Sequence, residues 1–291
     1  MNPVINFFVM QVSLIAVVLV LHTYIGLHII RRGIIFSDLA LNQLAAFGLI
    51  VGIACGIKYG SPLSYVMALG ATLIGCAILA VLLRPKNRQI PQEAVIGILY
   101  GMALVASLLL ADKLHEGGSS FSATLVGSML WISWPLVWVT MGVYVGLIVL
   151  HILCRRQILR LTEDNGAWPR RAAWDFMFFV TQGIIAILIV PVAGVLLAYG
   201  LLMIPAAIGS MFSRRWVPAL LIGWGAGFVA CVLGIVGSYK TDSPYGPSLM
   251  LSMGLFFVLA LVVSTFRKRP KTVPMENLSN HAAPVAKGDT L

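Results

Sequence analysis

Runs of roughly 20 apolar residues, separated by short clusters of Lys and Arg, recur from one end of this chain almost to the other. A bilayer core of about 30 Å is crossed by roughly 20 apolar residues in a helix rising 1.5 Å per residue. That match predicts spans at 4–30, 34–57, 62–84, 94–111, 135–154, 175–195, 197–213, 218–238 and 248–266. Pro191, Gly194, Gly200 and Pro205 punctuate the sixth and seventh runs, which equally read as one broken helix plus a short one. Only 10% of the 291 residues are charged and 59% are apolar, where soluble domains carry about 25% charged residues. A cytosolic enzyme, a disordered chain and a secreted disulfide scaffold are thereby excluded. The expected fold is all-α: a polytopic membrane protein with about nine transmembrane helices.

Charge placement gives the orientation. Of the 20 Lys and Arg, 17 follow the odd-numbered spans, leaving Lys58, Lys113 and Lys240 on the other side. By the positive-inside rule the N-terminus is outside and the C-terminus cytoplasmic. The net charge of +10 is therefore topological; it forms no basic face for a phosphate backbone, and no nucleic-acid partner is expected. Residues 1–269 read as one membrane domain and 270–291 as a disordered cytoplasmic tail. The first run lacks a basic n-region and is too long for a cleavable signal. The outer stretch 112–133 has room for a short interfacial helix, with Trp131 and Trp134 in the aromatic belt. The inner loop 155–174 is the only one large enough to dock on a partner; it carries Arg160, Glu163, Asp164, Asn165, Arg170 and Arg171.

Polar side chains inside the spans ask for a reason, because ionisable groups are costly in the bilayer. Asp38 and Asn42 lie four apart on one face of the second span, with Gln43 beside them. Either they form an interhelical hydrogen-bond cluster, or they line a permeation path in which Asp38 and Asn42 contact a metal ion. Asp242, within Thr-Asp-Ser-Pro, reads as a turn. Asp175 reads as a carboxylate at a helix N-terminus. His22 and His28, six apart, face nearly opposite ways and suit no shared metal site. Asp112, His115 and Glu116 in the outer loop could capture a cation, although such a trio is commonplace. The four cysteines form no CxxC pair, and there is no HExxH, GxSxG or phosphate-binding glycine loop. No catalytic residue and no permanently bound cofactor are expected. The chain is not expected to be an enzyme, and if transport is ATP-driven the ATPase is expected to be another subunit.

Five segments, in order, carry a family likeness: IGLHIIRRGIIFSDLALNQLAAFG, QEAVIGILYGMALVASLLL, LVGSMLWISWPLVWVTMGV, WDFMFFVTQGIIAILIVPVAGVLLAYGLLMIPAAIGSMF and DSPYGPSLML. Together they resemble the metal-type permeases of bacterial ATP-binding-cassette importers for zinc, manganese and iron. The resemblance implies a homodimeric inner-membrane permease with the ion path at the two-fold interface. It further implies a cytosolic ATPase pair docked on the 155–174 loop, and a periplasmic or lipoprotein substrate-binding protein on the far side. ATP would be bound by the partner subunit and a divalent metal ion would be the substrate. Asp242 matches the aspartate before the family's last span and joins Asp38, Asn42 and Gln43 in the expected path. Asp38 matches the family's second-span aspartate, but Asn42 stands where the family has histidine, which leaves the ion's identity open. A related permease for a metal chelate or small organic solute is the nearest alternative. A membrane assembly subunit with no transport role is the third.

Overall fold

The computed structural model describes residues 3–82, 91–114, 117–127, 132–164 and 168–266. His115, Glu116, Trp131, Asn165 and the expected tail 270–291 lie outside the described residues. Every regular element among the described residues is a helix: α1 (Pro3–Arg32), α2 (Phe36–Ala54), α3 (Pro62–Leu82), α4 (Gln92–Asp112), α5 (Gly117–Val126), α6 (Trp134–Leu153), α7 (Arg155–Glu163), α8 (Arg171–Phe212), α9 (Trp216–Thr241) and α10 (Tyr245–Phe266). Eight of these are long and apolar enough to cross a bilayer.

Those eight helices make nine crossings, and the reason lies in α8. A straight helix of its 42 residues would be about 63 Å long, twice the bilayer core. It breaks at Gly194, whose φ of 75° and ψ of 165° belong to a region that side chains with a Cβ avoid. The contacts show that the chain turns back there. Near the start of α8, Asp175 is ion-paired with Arg32 at the end of α1. Just past the end of α8, the Arg214 carbonyl accepts a hydrogen bond from Arg31 at 2.7 Å. Both ends of α8 therefore meet the same end of α1. Its middle, at Gly194, instead packs against Gly127 and the residues before it, between α4 and α6. The sixth and seventh expected spans are thus the two arms of one hairpin, 171–193 and 195–212, with no loop between them.

The hairpin forms the centre of the bundle. α8 packs against α1, α2, α3, α9 and α10 and is the most buried of the long helices, α10 the least. Small residues permit close crossings: a Cβ on Gly48 of α2 would lie 2.6 Å from the Met67 carbonyl oxygen of α3. The outward faces of α4, α6 and α10 present Ile98, Met102, Leu109, Trp138, Val145, Leu251 and Leu255. Such surface suits hydrocarbon, and helices are the elements that satisfy their own backbone there.

Two short helices complete the architecture. α5 is the helix expected in the outer stretch; it packs against α8, α4 and α2. α7 falls in the expected docking loop and is amphipathic: Ile158, Leu161 and Thr162 are buried, while Arg155, Arg156, Arg160 and Glu163 are exposed. The N-terminus of α2 has no side-chain cap of its own. Glu93 of α4 supplies one, accepting the Ile35 and Phe36 amide protons at 2.5 and 3.3 Å. A carboxylate at this place meets both the orphan amides and the positive end of the helix dipole.

Candidate functional site

The short turn Gly33–Ile35 sets α2 directly behind α1, so Asp38 stands in the first turn of α2 and not deep in its span. It is nevertheless only 2% exposed. The Asn42 amide nitrogen, one turn along, donates to Asp38 Oδ2 at 2.8 Å. Asp38 lies within electrostatic reach of Tyr144 on α6 and Tyr199 on α8. None of the ion pairs among the described residues involves it. Its carboxylate is therefore closed inside the protomer with a single neutral donor.

Gln43 does not join them. One residue past Asn42 it points to α4, where its amide nitrogen donates to Ser107 Oγ at 3.3 Å, while Ser107 in turn donates to the Ala103 carbonyl at 2.7 Å. The amide oxygen of Gln43 and the hydroxyl of Ser37 are buried without partners. Asp242 is further away still. It caps α9 in the left-handed conformation, φ 50°, is exposed, and sits at the end of the bundle opposite the Arg31 and Arg32 pair. The turn expected from Asp-Ser-Pro is present there, closed by the Ser243 amide on the Ser238 carbonyl at 3.1 Å.

The expected coupling residues divide into two sets. Glu163 and Arg170 are exposed, and Arg160 lies over the Trp168 ring at 4.7 Å while bridging to Asp164 at 3.4 Å. Arg171 turns inward: it donates to the Asp164 carbonyl at 2.7 Å and approaches Asp175 at 3.7 Å. Asp175 is not the N-terminal carboxylate expected of it. The helix begins four residues earlier, so Asp175 occupies the second turn and holds Arg32 across the α1–α8 contact, each side chain 7% exposed.

Sequence reasoning missed three long-range pairings. Arg32 meets Asp175, His28 Nδ1 meets Thr162 Oγ1 at 2.6 Å, and His151 Nε2 meets Thr181 Oγ1 at 3.2 Å. Each His and Asp was visible as an intramembrane polar residue; its partner, up to 143 residues away, was not. His22 and His28 do diverge, His22 stacking on Tyr144 at 5.8 Å and His28 on Trp216 at 4.4 Å.

No group of three or more His, Cys, Asp or Glu that could hold a metal ion occurs among the described residues. Chemically, Asp38 and Asn42 offer a weak set of oxygen donors: two carboxylate oxygens, and an amide whose oxygen replaces its nitrogen on rotation about one bond.

The profile of the ABC 3 transport family matches residues 6–264. The chain belongs to that family. Among relatives of this ABC 3 chain, the chelated iron transport system membrane protein YfeD of Yersinia pestis is 26% identical over 82% of both chains. The manganese transport system membrane protein MntC of Halalkalibacterium halodurans is 22% identical over 90% of both. The solved structure of PsaBC from Streptococcus pneumoniae in complex with a Fab superposes with a TM-score of 0.70 at 20% identity. It covers 92% of this chain and 94% of that one. The ABC 3 chain therefore shares its fold with that structure over nearly its whole length.

Proposed function

We propose that the chain is the membrane-spanning permease of an ATP-driven importer of divalent metal ions, zinc, manganese or iron, in the bacterial inner membrane. Family membership and relatives named for iron and manganese transport support the substrate class. The observation that carries the reading is Asp38, a carboxylate sealed in the bundle beside one amide and no cation. In this reading the permease is a homodimer, a cytosolic ATPase pair binds the exposed face of α7 with Arg170, and a substrate-binding protein delivers the ion opposite. ATP is held by the ATPase, and the permease itself is not catalytic. Residues 1–269 form the permease domain and the residues from 270 on a cytoplasmic tail.

Asp38 is enclosed within one protomer. An ion at the two-fold interface reaches it only when α2 parts from the helices packed on it, α8 among them, which is the inward-opening step of alternating access. Asn42 then rotates its oxygen toward the ion. Asp242 acts at the outer mouth, before the ion enters, because its position separates it from Asp38.

The test is metal uptake in cells lacking other importers, with protein level controlled. Asp38→Asn keeps shape and hydrogen bonding but removes the charge. Uptake is expected to fall at least tenfold while assembly with the ATPase persists. A merely structural Asp38 predicts a mild effect, since its one hydrogen bond, from Asn42 on the same helix, can still be accepted by an Asn side-chain oxygen. Near-normal uptake by that variant would sink the ion-path assignment.

A further inference from the structure

Two buried histidines, His28 and His151, stand near the Arg31–Arg32 end of the bundle, apart from Asp38 and Asn42. Their protonation pattern can be worked out from their partners. Thr162 Oγ1 lies 3.1 Å from the Ile158 carbonyl oxygen and 2.6 Å from His28 Nδ1. A hydroxyl has one proton, and the carbonyl can only accept it, so His28 Nδ1 carries a proton and donates to Thr162. The same logic holds on α8. Thr181 donates to the Met177 carbonyl at 3.1 Å and must accept from His151 Nε2 at 3.2 Å. Each neutral ring is left with one bare lone pair, on His28 Nε2 and on His151 Nδ1. Both atoms are buried and have no hydrogen-bond partner.

Buried acceptors without donors are uncommon and need a reason. These two share an environment. Both rings pack on Tyr24, at 4.7 and 5.5 Å, and on Phe178, at 6.1 and 6.4 Å. Gln182 stands one turn from Phe178 on the same face of α8; it is fully buried and both of its amide atoms are unpartnered. The Arg31 and Arg32 guanidiniums still act on His28, although Arg32 is paired with Asp175 and Arg31 lies in the field of Glu163. An imidazole held through one nitrogen by a hydroxyl, with the other nitrogen bare, is the arrangement that prepares histidine for a metal ion.

We propose that His28 and His151 form a second contact site for a divalent transition-metal ion near the arginine-bearing end of the bundle. The proposal rests on the permease reading and adds a selectivity step to it. Oxygen donors such as Asp38 and Asn42 accept magnesium and calcium, whereas imidazole nitrogen suits zinc, cobalt, nickel and iron. His28 lies one helical turn before Arg32 and Asp38 in the first turn of α2 just after it, so the two sites stand near the same end of the bundle. An ion there meets two nitrogen lone pairs beside Phe178, with Gln182 one turn further along α8.

The test uses the full chain in lipid nanodiscs, purified without a histidine tag, with His115 and His281 replaced by Gln so that only three histidines remain. Co2+ is the probe, because nitrogen ligands in a low-coordinate site intensify its visible absorption. The parent chain and Asp38→Asn are expected to show the intense band. His28→Gln with His151→Gln is expected to lose it and to weaken Co2+ binding at least tenfold. Persistence of the band in that double variant overturns the proposal. Should the double variant misfold, zinc-edge absorption on the parent chain decides: two imidazole scatterers support the site, and an all-oxygen shell refutes it. Failure of the permease reading looks different, as a chain that keeps the cobalt band while supporting no uptake in cells.

Discussion

Replacing Asp175 by Asn should be among the most damaging single changes outside the ion path. The carboxylate and the Arg32 guanidinium are each 7% exposed, and Arg171 adds a second cation at 3.7 Å. Arg32 also lies over Phe178 at 4.9 Å, and one of its terminal nitrogens is already buried without a partner. Removing the carboxylate strands a buried charge, for which the cost is about 3–5 kcal/mol. The pair sits at a helix end where Arg32 can extend toward water, so the lower end, about 3 kcal/mol, is the expected value. That is roughly a hundredfold shift in the unfolding equilibrium at about 1.4 kcal/mol per tenfold. Unfolding of purified protein in mixed micelles with increasing SDS, followed by tryptophan fluorescence, measures it. Arg32→Met combined with Asp175→Leu removes both charges and should recover to within about 1 kcal/mol of the parent. A single variant within about 1 kcal/mol of the parent, or a double variant no better than the single, would refute the argument.

Other expectations follow from the same contacts. A reporter fused after Arg269 should read as cytoplasmic and one after Asp112 as periplasmic, and reversed signals would overturn the orientation. Charge reversal at Arg160 and Arg170 should reduce ATPase co-purification while leaving insertion intact, whereas reversal at Arg171, which is bound internally, should lower stability as well. Unchanged co-purification would remove this face from the interface. Gly194→Ala should destabilise the bundle by at least about 1–3 kcal/mol of backbone strain, because its Cβ would also meet the Gly127 segment. Normal thermal stability would show that the turn tolerates a side chain.

What the sequence disclosed depends on the range of the interaction. The spans, the basic clusters and the α8 break are local: apolar length, charge flanks and a Pro/Gly-punctuated stretch each announce themselves within a few dozen residues. The pairing of Asp38 with Asn42 is local too, one helical turn apart. Asp175 differs from its expected role because α8 starts at Arg171, and a shift of four residues separates a helix-start carboxylate from one buried against another helix. Gln43 was grouped with Asp38 by proximity, although a step of about 100° around a helix sends it to α4. The partners of Arg32, His28 and His151 depend on how distant helices meet, and no pattern within one segment encodes that.

The loopless turn at Gly194 bears on how the chain enters the membrane. Neither arm of α8 has a charge at that end to decide its direction; the arginines lie at 170–171 and 214–215, flanking the pair as a whole. Arg170–Arg171 hold the start of the first arm and Arg214–Arg215 the end of the second on the same side, so flanking charge favours entry of the two arms as one helical hairpin, with its Gly194 tip crossing uncharged.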